Sequence, residues 1–542
     1  MKARLLHADR DFDPQAALPP HLAEVTDDLG LDLLFRSMAQ GDEFVLETVR
    51  KVVLSSLVDP NEILYRQRVL KDCTEHAATV RELYELAGTT LAAERRIWGG
   101  LLDDYAEGVL HRSVAVLGLL SKSLKQLRRI ADRQSDRFRS EGFSALVGML
   151  SRELDDDFLG TVDGHLRCLT FEGGVSMSAV LGEADRSPSY LLLEPRRATW
   201  PRFVADRIGD VRAADTSPRQ ARKGLSGRSR SPLFALVPLL AMRSAGRPES
   251  SGRAESDTDE DRSKALSDLR GRGISSVAVS LAQAADGILA FLRGLRFELA
   301  FYVGCLNLDD QLAGMGQPVC VPEPQPAGEH NLSGRGLYDV CLSLSMRARV
   351  VPNDFDADGK ALVMITGANR GGKSTFLRSV GEAQLMMQCG MFVGADAYRA
   401  SVCDGLFTHF KREEDSTLRS GRLDEELGRM SEIVKAARSG SMVLANESFA
   451  STNEREGSEI ARQIVRALIE SGVRVVYVTH LFDLAHSFFV QNLASALFLR
   501  AERENDAQRT FKVVEAEPLS TSYGEDLYRQ IFGASRTSTS PI

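Results

Sequence analysis

The chain has 542 residues, enough for two to four domains that each enclose a hydrophobic core. Its content of 43% hydrophobic and 26% charged residues is typical of soluble globular proteins, and its most apolar run, residues 232–242, is too short to span a bilayer. The net charge of −8 excludes a general attraction to nucleic acid, so any contact with DNA requires a local basic surface.

The N-terminal residues and the cysteines both predict a cytoplasmic protein. Charged residues interrupt positions 1–15, where a signal peptide needs an apolar core. The seven cysteines are scattered, odd in number and never spaced as CxxC, which is typical of reduced thiols rather than of a disulfide framework or a zinc site. They are Cys73, Cys168, Cys305, Cys320, Cys341, Cys389 and Cys403.

Residues 1–200 are predicted to form the first part of a helical core. Between residues 22 and 151 apolar residues recur at three- and four-residue spacing and glycines are few, as expected for amphipathic helices. Short runs rich in β-forming residues, at 175–180 and 190–193, predict a small strand-containing element near 155–200.

Residues 201–272 are expected to form a flexible or disordered insertion or linker. They are rich in Ser, Arg, Gly and Pro, and they turn acidic at 255–261. Their basic residues either sample DNA without sequence preference or keep the linker soluble. These are Arg219, Arg222, Lys223, Arg228 and Arg230. Helical patterning returns over residues 273–330, which end in a proline-rich joint.

Residues 331–542 alternate short apolar runs with helical stretches, which predicts an α/β domain built on a parallel sheet. The most informative runs are 361–365, 442–445 and 473–478, because each leads to a polar residue suited to chemistry. Sheets of this kind bind ligands at the carboxyl ends of their strands. We therefore expect the functional site where these three runs end.

The first run leads into a G-x-x-x-x-G-K-[ST] motif, which predicts a P-loop. Its glycines let backbone N–H groups turn toward phosphate oxygens, and the N-terminus of the following helix adds a favourable partial charge. Lys373 is expected to reach the β- and γ-phosphates of ATP, and the Ser374 hydroxyl to ligate Mg²⁺. The residues assigned to the nucleotide are Gly367, Ala368, Asn369, Arg370, Gly371, Gly372, Lys373, Ser374 and Thr375.

The second run ends at Asn446 and Glu447. In P-loop enzymes an acid at this strand end holds the Mg²⁺ shell, and a following glutamate polarises the attacking water. Asn446 keeps a carbonyl oxygen for the metal shell but lacks the charge, so its bond to a metal-bound water is expected to be roughly half as strong. Glu447 is the predicted catalytic base. The alternative is a solvated acid at a strand end.

The third run is followed by Thr479 and His480. A histidine at the end of a neighbouring strand can hydrogen-bond the γ-phosphate and report its presence. We therefore assign His480 to the catalytic group, against the alternative of a structural histidine.

The order and spacing of these motifs resemble those of the MutS family across nearly the whole final domain. The matching segments are residues 351–354, 365–375, 390–393, 404–408, 446–447, 479–480 and 522–524. Residues 54–60 and 63–67 resemble the helical core of the same family. The resemblance implies an ABC-like α/β P-loop NTPase domain at the C-terminal end, preceded by a largely α-helical core and lever region. It also implies a homodimeric ATPase that uses ATP and Mg²⁺ and holds DNA with its helical levers.

In the family a signature segment reaches the γ-phosphate bound by the partner protomer, and its match here is residues 420–427. The family's signature serine falls at Gly421 by spacing, with Ser420 beside it, so both are assigned to the nucleotide. Family members that read mismatches carry a Phe-x-Glu motif whose Phe wedges into the base stack. No Phe-x-Glu occurs in this sequence, and no nuclease-like tail is expected. The sequence therefore predicts a reduced bacterial branch of the family.

A basic helix face is the candidate DNA surface. Its residues at helical spacing are Lys122, Lys125, Arg129 and Arg133. The alternative is the solvated face of a helix packed on a core. The predicted function is an ATP-dependent DNA-binding protein related to DNA repair or recombination. Two other functions stay open: a nucleotide-gated protein-interaction switch without DNA, and a slow or inactive ATPase that only binds nucleotide.

Overall fold

The computed structural model of the chain describes residues 1–98, 106–134, 137–169, 178–180, 189–191, 258–412, 421–503 and 509–519. They form two compact units. The first comprises Met1–Ala3, Ala78–Arg139 and Phe143–Arg296, and the second comprises Arg4–Ala77, Ser140–Gly142 and Phe297–Ile542. The sequence-based boundaries at 200, 272 and 330 remain predictions. Most of the predicted linker, with its basic residues, lies outside the described residues.

The described part of the first unit is helical except for two short strands. Its helices are α5 (Ala77–Trp98), α6 (Ala106–Gln134), α7 (Glu141–Glu153), α8 (Asp156–Leu169) and the first part of α9 (Thr258–Gly314). Helix α6 packs against α8 and buries Leu120, Leu124 and Leu127, which recur at the spacing of one helix face. Strands β1 (Ser178–Val180) and β2 (Ser189–Leu191) pair antiparallel.

Helix α9 begins inside the range that the sequence assigns to the linker. Its first residues, at 258–261, include three acidic side chains, a composition that favours a helix N-terminus. Residues 258–272 are therefore helical, which corrects the prediction of a linker at that end.

The second unit contains the first four helices and two larger β-sheets. Helices α1 (Leu22–Leu29), α2 (Leu31–Ala39), α3 (Glu43–Leu54) and α4 (Pro60–Glu75) precede the sheets in the chain. Helix α4 starts where Asp59 caps the amide of Asn61 and a proline takes the first helical position. The fully buried Arg66 donates from Nε to Leu6 O at 2.8 Å and from Nη1 to Cys389 O at 3.3 Å. These bonds join the N-terminal segment, α4 and Cys389 within one unit.

A six-stranded sheet forms the centre of this unit, with the order β12-β11-β6-β10-β9-β8. Its strands are β6 (Leu362–Thr366), β8 (Leu406–Phe410), β9 (Met442–Asn446), β10 (Arg474–Val478), β11 (Ala496–Arg503) and β12 (Arg509–Glu515). Every neighbouring pair is parallel except β11 and β12. Strands β6, β9 and β10 coincide with the three predicted apolar runs, and they are adjacent, so their carboxyl ends meet at one edge.

A smaller sheet has the order β3-β7-β4-β5, and helices accompany both sheets. Its strands are β3 (Glu323–Gln325), β4 (Leu332–Leu337), β5 (Asn353–Asp356) and β7 (Ala397–Ser401). The remaining helices are α10 (Val340–Met346), α11 (Lys373–Gln388), α12 (Arg422–Ala436), α13 (Glu454–Glu470) and α14 (Phe482–Phe489). The observed architecture is thus an α/β part together with a largely helical part.

Neither a membrane-spanning helix nor a cluster of metal-ligating side chains occurs among the described residues. None of the helices there combines the length and apolarity needed to cross a membrane. Likewise, within the described ranges no group of three or more His, Cys, Asp or Glu side chains is arranged to hold a metal ion. Free thiols occur at Cys73, Cys305, Cys320, Cys341, Cys389 and Cys403, and all of these except Cys320 are buried.

Candidate functional site

The turn between β6 and α11 contains glycines that no other residue replaces without a clash. Gly367 has φ +108° and Gly372 has φ +93°, both in the region that favours glycine. A Cβ on Gly367 would lie 2.9 Å from the backbone nitrogen of Ala501, and a Cβ on Gly372 would lie 3.0 Å from the carbonyl oxygen of Phe511. The close approach of β11 and β12 therefore requires the glycine pattern of the loop.

The other residues of the loop differ in how exposed they are. Asn369 and Arg370 are exposed, Ala368 is buried, and the carbonyl of Ala368 accepts the amide of Gly371 at 3.2 Å. Helix α11 then begins at Lys373, and Ser374 and Thr375 lie half-buried in its first turn. The first amides of a helix have no partner within the helix, which makes this N-terminus suited to an anion.

Lys373 is the buried cation of the loop. Its Nζ donates to the carbonyl oxygens of Gly367 at 2.8 Å and of Ala368 at 3.0 Å, and only 4% of the residue is exposed. Burial lowers the pKa of Lys373, whereas the negative charge of Glu447 raises it. A phosphate in the loop would supply the counter-charge that this buried ammonium group lacks.

Ser374 and Asn446 are brought together although they are far apart in the chain. The Ser374 hydroxyl donates to Oδ1 of Asn446 at 2.9 Å. Asn446 ends β9 and pairs with Val478 of β10 and Phe410 of β8. The two oxygen ligands that the sequence assigns to Mg²⁺ are therefore neighbours.

Glu447 lies one residue beyond the end of β9, beside His480. Its Oε1 lies 3.6 Å from Nδ1 of His480, and its amide donates to Val478 O at 2.9 Å. The nearby His480 lowers the pKa of Glu447 most and burial opposes that effect, while the charges of Lys373 and Lys411 lower the pKa further. The net direction is downward, so Glu447 stays ionised at neutral pH.

The predicted signature residues are not joined to this cluster. Gly421 precedes the first residue of α12 and is exposed, and no hydrogen bond or ion pair connects it to the loop within the described residues. Ser420 and residues 522–524 lie outside those residues. The assignment of Ser420 and Gly421 to the nucleotide stays a prediction.

Phe511 is a neighbour of the loop that the sequence did not indicate. It lies on β12 with φ +59° and is 48% exposed, and its carbonyl oxygen faces Gly372. A positive φ on an aromatic residue is uncommon and is often found at functional sites. A single aromatic in an edge strand carries no sequence signal, so the position of Phe511 emerges only from the packing of β12. The partner that holds β12 there is Asn353, whose Oδ1 accepts Val513 N at 2.8 Å.

The four predicted DNA contacts on α6 differ in their surroundings. Lys122 and Arg129 are exposed, and neither has an ion-pair partner in the described part of the chain. Lys125 forms an ion pair with Asp163 of α8, and Arg133 approaches Glu82 of α5 at 3.3 Å. The face therefore offers two free cations and two engaged ones.

Comparisons with known proteins fall on both parts of the chain. A family model described as the MutS2 N-terminal domain matches residues 58–315, and one described as MutS domain V matches residues 363–532. The helical half is thus similar to proteins of the MutS2 kind, and the final domain to MutS proteins in general.

Curated relatives named DNA mismatch repair protein MutS match about a third of the chain. The protein of Haloquadratum walsbyi is 31% identical over 189 residues, which are 33% of this chain and 20% of that protein. That of Thermus aquaticus is 32% identical over 181 residues (33% and 22%), and that of Thermotoga maritima 34% over 177 residues (32% and 22%). The match thus spans about a fifth of the length of these relatives. Since MutS family models match both halves, between residues 58 and 532, the chain belongs to the MutS family.

Proposed function

We propose that this protein binds and hydrolyses ATP at an ABC-like P-loop site and uses the nucleotide state to control its binding to DNA. One observation carries the proposal. The loop with Lys373, the Asn446–Glu447 strand end and His480 occupy the carboxyl ends of three adjacent parallel strands, β6, β9 and β10. Strand ends of such sheets are where α/β proteins bind ligands, and these residue types suit phosphoryl transfer.

The side chains present fit magnesium-bound ATP. The glycine turn has no room for a Cβ, and Lys373 is buried without an acidic hydrogen-bond partner. Ser374 and Asn446 would hold Mg²⁺, which neutralises charge on the transferring phosphoryl group when bound. The exposed ring of Phe511 beside the loop offers a face on which the adenine base can stack.

Glu447 and His480 would act at the outer phosphate. Glu447 holds a water by hydrogen bonding and accepts its proton as the water attacks. His480 lies close enough to orient the Glu447 carboxylate and offers its other ring nitrogen to a γ-phosphate oxygen. The lowered pKa keeps Glu447 in the form that accepts a proton.

The charge missing at Asn446 leads to a prediction about magnesium. Asn446→Asp is expected to lower the Mg²⁺ concentration for half-maximal hydrolysis by about tenfold, because charge-assisted hydrogen bonds are about twice as strong as neutral ones. The aspartate would still accept the Ser374 hydroxyl that donates to Asn446. A magnesium titration of ATP hydrolysis measures the effect. Asn61→Asp, which adds the same charge at an exposed position in α4, is the matched control. An unchanged magnesium requirement in Asn446→Asp would exclude Asn446 from the metal shell.

Binding to DNA is proposed for the exposed cations of α6. Lys122 and Arg129 lie free on one helix, as required for contact with a phosphate backbone. Family resemblance adds that two protomers share their ATP sites and that the helical levers engage DNA. We therefore propose a homodimer whose nucleotide state sets the affinity of these helices for DNA.

Charge reversal on α6 tests this proposal. Lys122→Glu together with Arg129→Glu is expected to weaken duplex binding about tenfold or more at low salt and to reduce the slope of log K against log salt by about 2. Fluorescence anisotropy with plain, mismatched and branched duplexes, with and without ATP, measures both quantities. Lys435→Glu together with Arg462→Glu changes the net charge equally at exposed sites of the other unit. Equal weakening in this control would show that net charge, and not the α6 surface, determines binding.

A nucleotide-gated protein-interaction switch without DNA is the second candidate. It is favoured by the ion pairs of Lys125 and Arg133, which occupy two of the four predicted contacts, and by the net charge of −8. If the wild-type protein binds no duplex at low salt in any nucleotide state, the protein-interaction switch is favoured over the DNA-binding function. A slow or inactive ATPase differs from both, because it would bind ATP without releasing phosphate.

A further inference from the structure

Two side chains and one backbone carbonyl, none of which makes a proposed contact with ATP, form a buried hydrogen-bonded connection next to Glu447. His409 lies on β8 and is fully buried. Its Nδ1 lies 2.6 Å from Oγ of Ser448, the residue that follows Glu447, and its Nε2 lies 3.1 Å from the carbonyl oxygen of Glu426 on α12. One imidazole ring thus contacts both the loop that carries the catalytic glutamate and the helix that begins after Gly421.

The partners determine which ring nitrogen carries the proton. A carbonyl oxygen only accepts, so Nε2 must donate to Glu426. Burial and the charges of Arg429 and Arg412 lower the pKa of His409 to about 4, against the opposing hydrogen bond to the carbonyl of Glu426. In the neutral ring Nδ1 has no proton, so its short contact with Ser448 uses the hydroxyl proton of Ser448. The backbone oxygen of His409 lies 2.9 Å from the same hydroxyl and accepts the same proton, so the two acceptors share it.

The loop after Glu447 needs such support because its backbone is strained. Glu447 has φ +54° and Phe449 has φ +62°, a region that is unfavourable for non-glycine residues. Such conformations persist only where surrounding contacts fix them. The hydroxyl of Tyr477 donates to Ser448 O at 2.8 Å, and the ring of Phe449 stacks on His409 with centroids 5.5 Å apart.

Helix α12 holds the same loop at a second point. The Ser451 hydroxyl donates to Oε2 of Glu426 at 2.9 Å. The backbone oxygen of the same glutamate accepts the hydrogen bond from the His409 ring. Arg429, one turn further along α12, donates to Phe410 O of β8 at 2.9 Å. The helix is therefore attached both to the strand that bears His409 and to the loop that bears Glu447.

We propose that His409 is a positioning residue, whose neutral ring links Ser448 to helix α12 and so holds the Glu447 carboxylate beside His480. The proposal rests on the proposed ATPase function. Through α12 it connects Gly421, the residue before that helix, with the catalytic base. A displacement of that helix would change the position of Glu447, because the His409 ring and its two hydrogen bonds connect the helix with the loop.

Two substitutions break this connection at different atoms. His409→Gln keeps a donor for the Glu426 carbonyl but loses the acceptor for Ser448, and Ser448→Ala removes the hydroxyl without altering the ring. Each is expected to lower kcat by about 10- to 100-fold, because a misplacement of about 1 Å can cost that much, while the Kd for ATP stays within twofold. The double variant should be no slower than His409→Gln alone, because both changes remove one interaction.

The comparison of kcat with the Kd for ATP separates positioning from general stability. If only the position of the Glu447 carboxylate changes, kcat falls in both variants while the Kd for ATP and the number of ATP molecules bound per chain stay as in the wild type. His21→Gln is the control, since His21 packs against Phe407 of the same strand with ring centroids 4.4 Å apart. It should leave both kcat and the Kd for ATP unchanged.

The outcomes are distinguishable from failure of the ATPase proposal. Wild-type protein that releases no phosphate overturns the proposed function and this inference with it. A wild type that hydrolyses ATP, with Ser448→Ala and His409→Gln equally fast, overturns the inference alone. A lower kcat that is matched by an equal loss of ATP sites per chain would also overturn it, since that result indicates a general loss of folded protein.

Discussion

Lys373→Ala is expected to abolish ATP binding, with a loss of affinity of at least about 100-fold. Each hydrogen bond between charged groups contributes about 1.5–3 kcal/mol, and the lysine is expected to contact two phosphates, so about 3 kcal/mol or more is lost. Without nucleotide, the substitution costs the protein little stability. In that state Lys373 bonds only two loop carbonyls, and its burial already disfavours the charged form. Isothermal titration calorimetry with ATP and magnesium measures the loss.

The control for this experiment is Lys435→Ala. Lys435 is an exposed lysine of α12 that pairs with Glu432 on the surface, so its removal should leave ATP affinity unchanged. Circular dichroism must show that both variants keep the fold. Affinity within threefold of wild type in a folded Lys373→Ala protein would contradict the assignment of the P-loop.

Glu447→Gln is expected to trap ATP. The amide cannot accept a proton from water, so hydrolysis should fall by about 10²- to 10⁴-fold, the usual contribution of a general base. Binding should persist, because Lys373, Ser374 and the glycine turn are untouched. Single-turnover measurements with labelled ATP, followed by analysis of the bound nucleotide, give the rate and show whether intact ATP accumulates.

The wild-type pH profile gives a second test of the same residue. The pKa of Glu447 is lowered, first by the nearby His480, so the carboxylate stays ionised as the pH falls. Hydrolysis should therefore stay constant until the pH reaches the ordinary glutamate pKa of about 4.3 and should decrease only below it, where protonation removes the base. Glu459→Gln, at an exposed glutamate of α13, should behave as wild type. Normal turnover in Glu447→Gln would assign the base to another group.

Several features of the site were predictable because they depend on local sequence rules. The loop glycines follow from the backbone geometry that a phosphate-binding turn requires, and β6, β9 and β10 follow from short β-branched runs. The polar residues at the ends of these runs converge because adjacent parallel strands end at the same edge. The roles assigned to Glu447 and His480 rest on the experiments above.

Other features could not be predicted, since they depend on residues far apart in the chain. Phe511 reaches the loop only because β12 pairs with β11 and is held by Asn353. His409 gains its role from Ser448, which lies 39 residues away. No sequence pattern distinguishes such a histidine from any other buried one.

The sequence by itself determined the glycine turn, the strands that carry the polar residues and the family likeness, because these depend on backbone preferences and on spacing along the chain. Tertiary structure decided which charges remain free. Lys125 is engaged by Asp163, 38 residues away, and Arg133 by Glu82, 51 residues away, whereas Lys122 and Arg129 on the same helix stay exposed. Helical spacing makes these four side chains look alike, and only the packing of α8 and α5 beside α6 brings carboxylates to two of them.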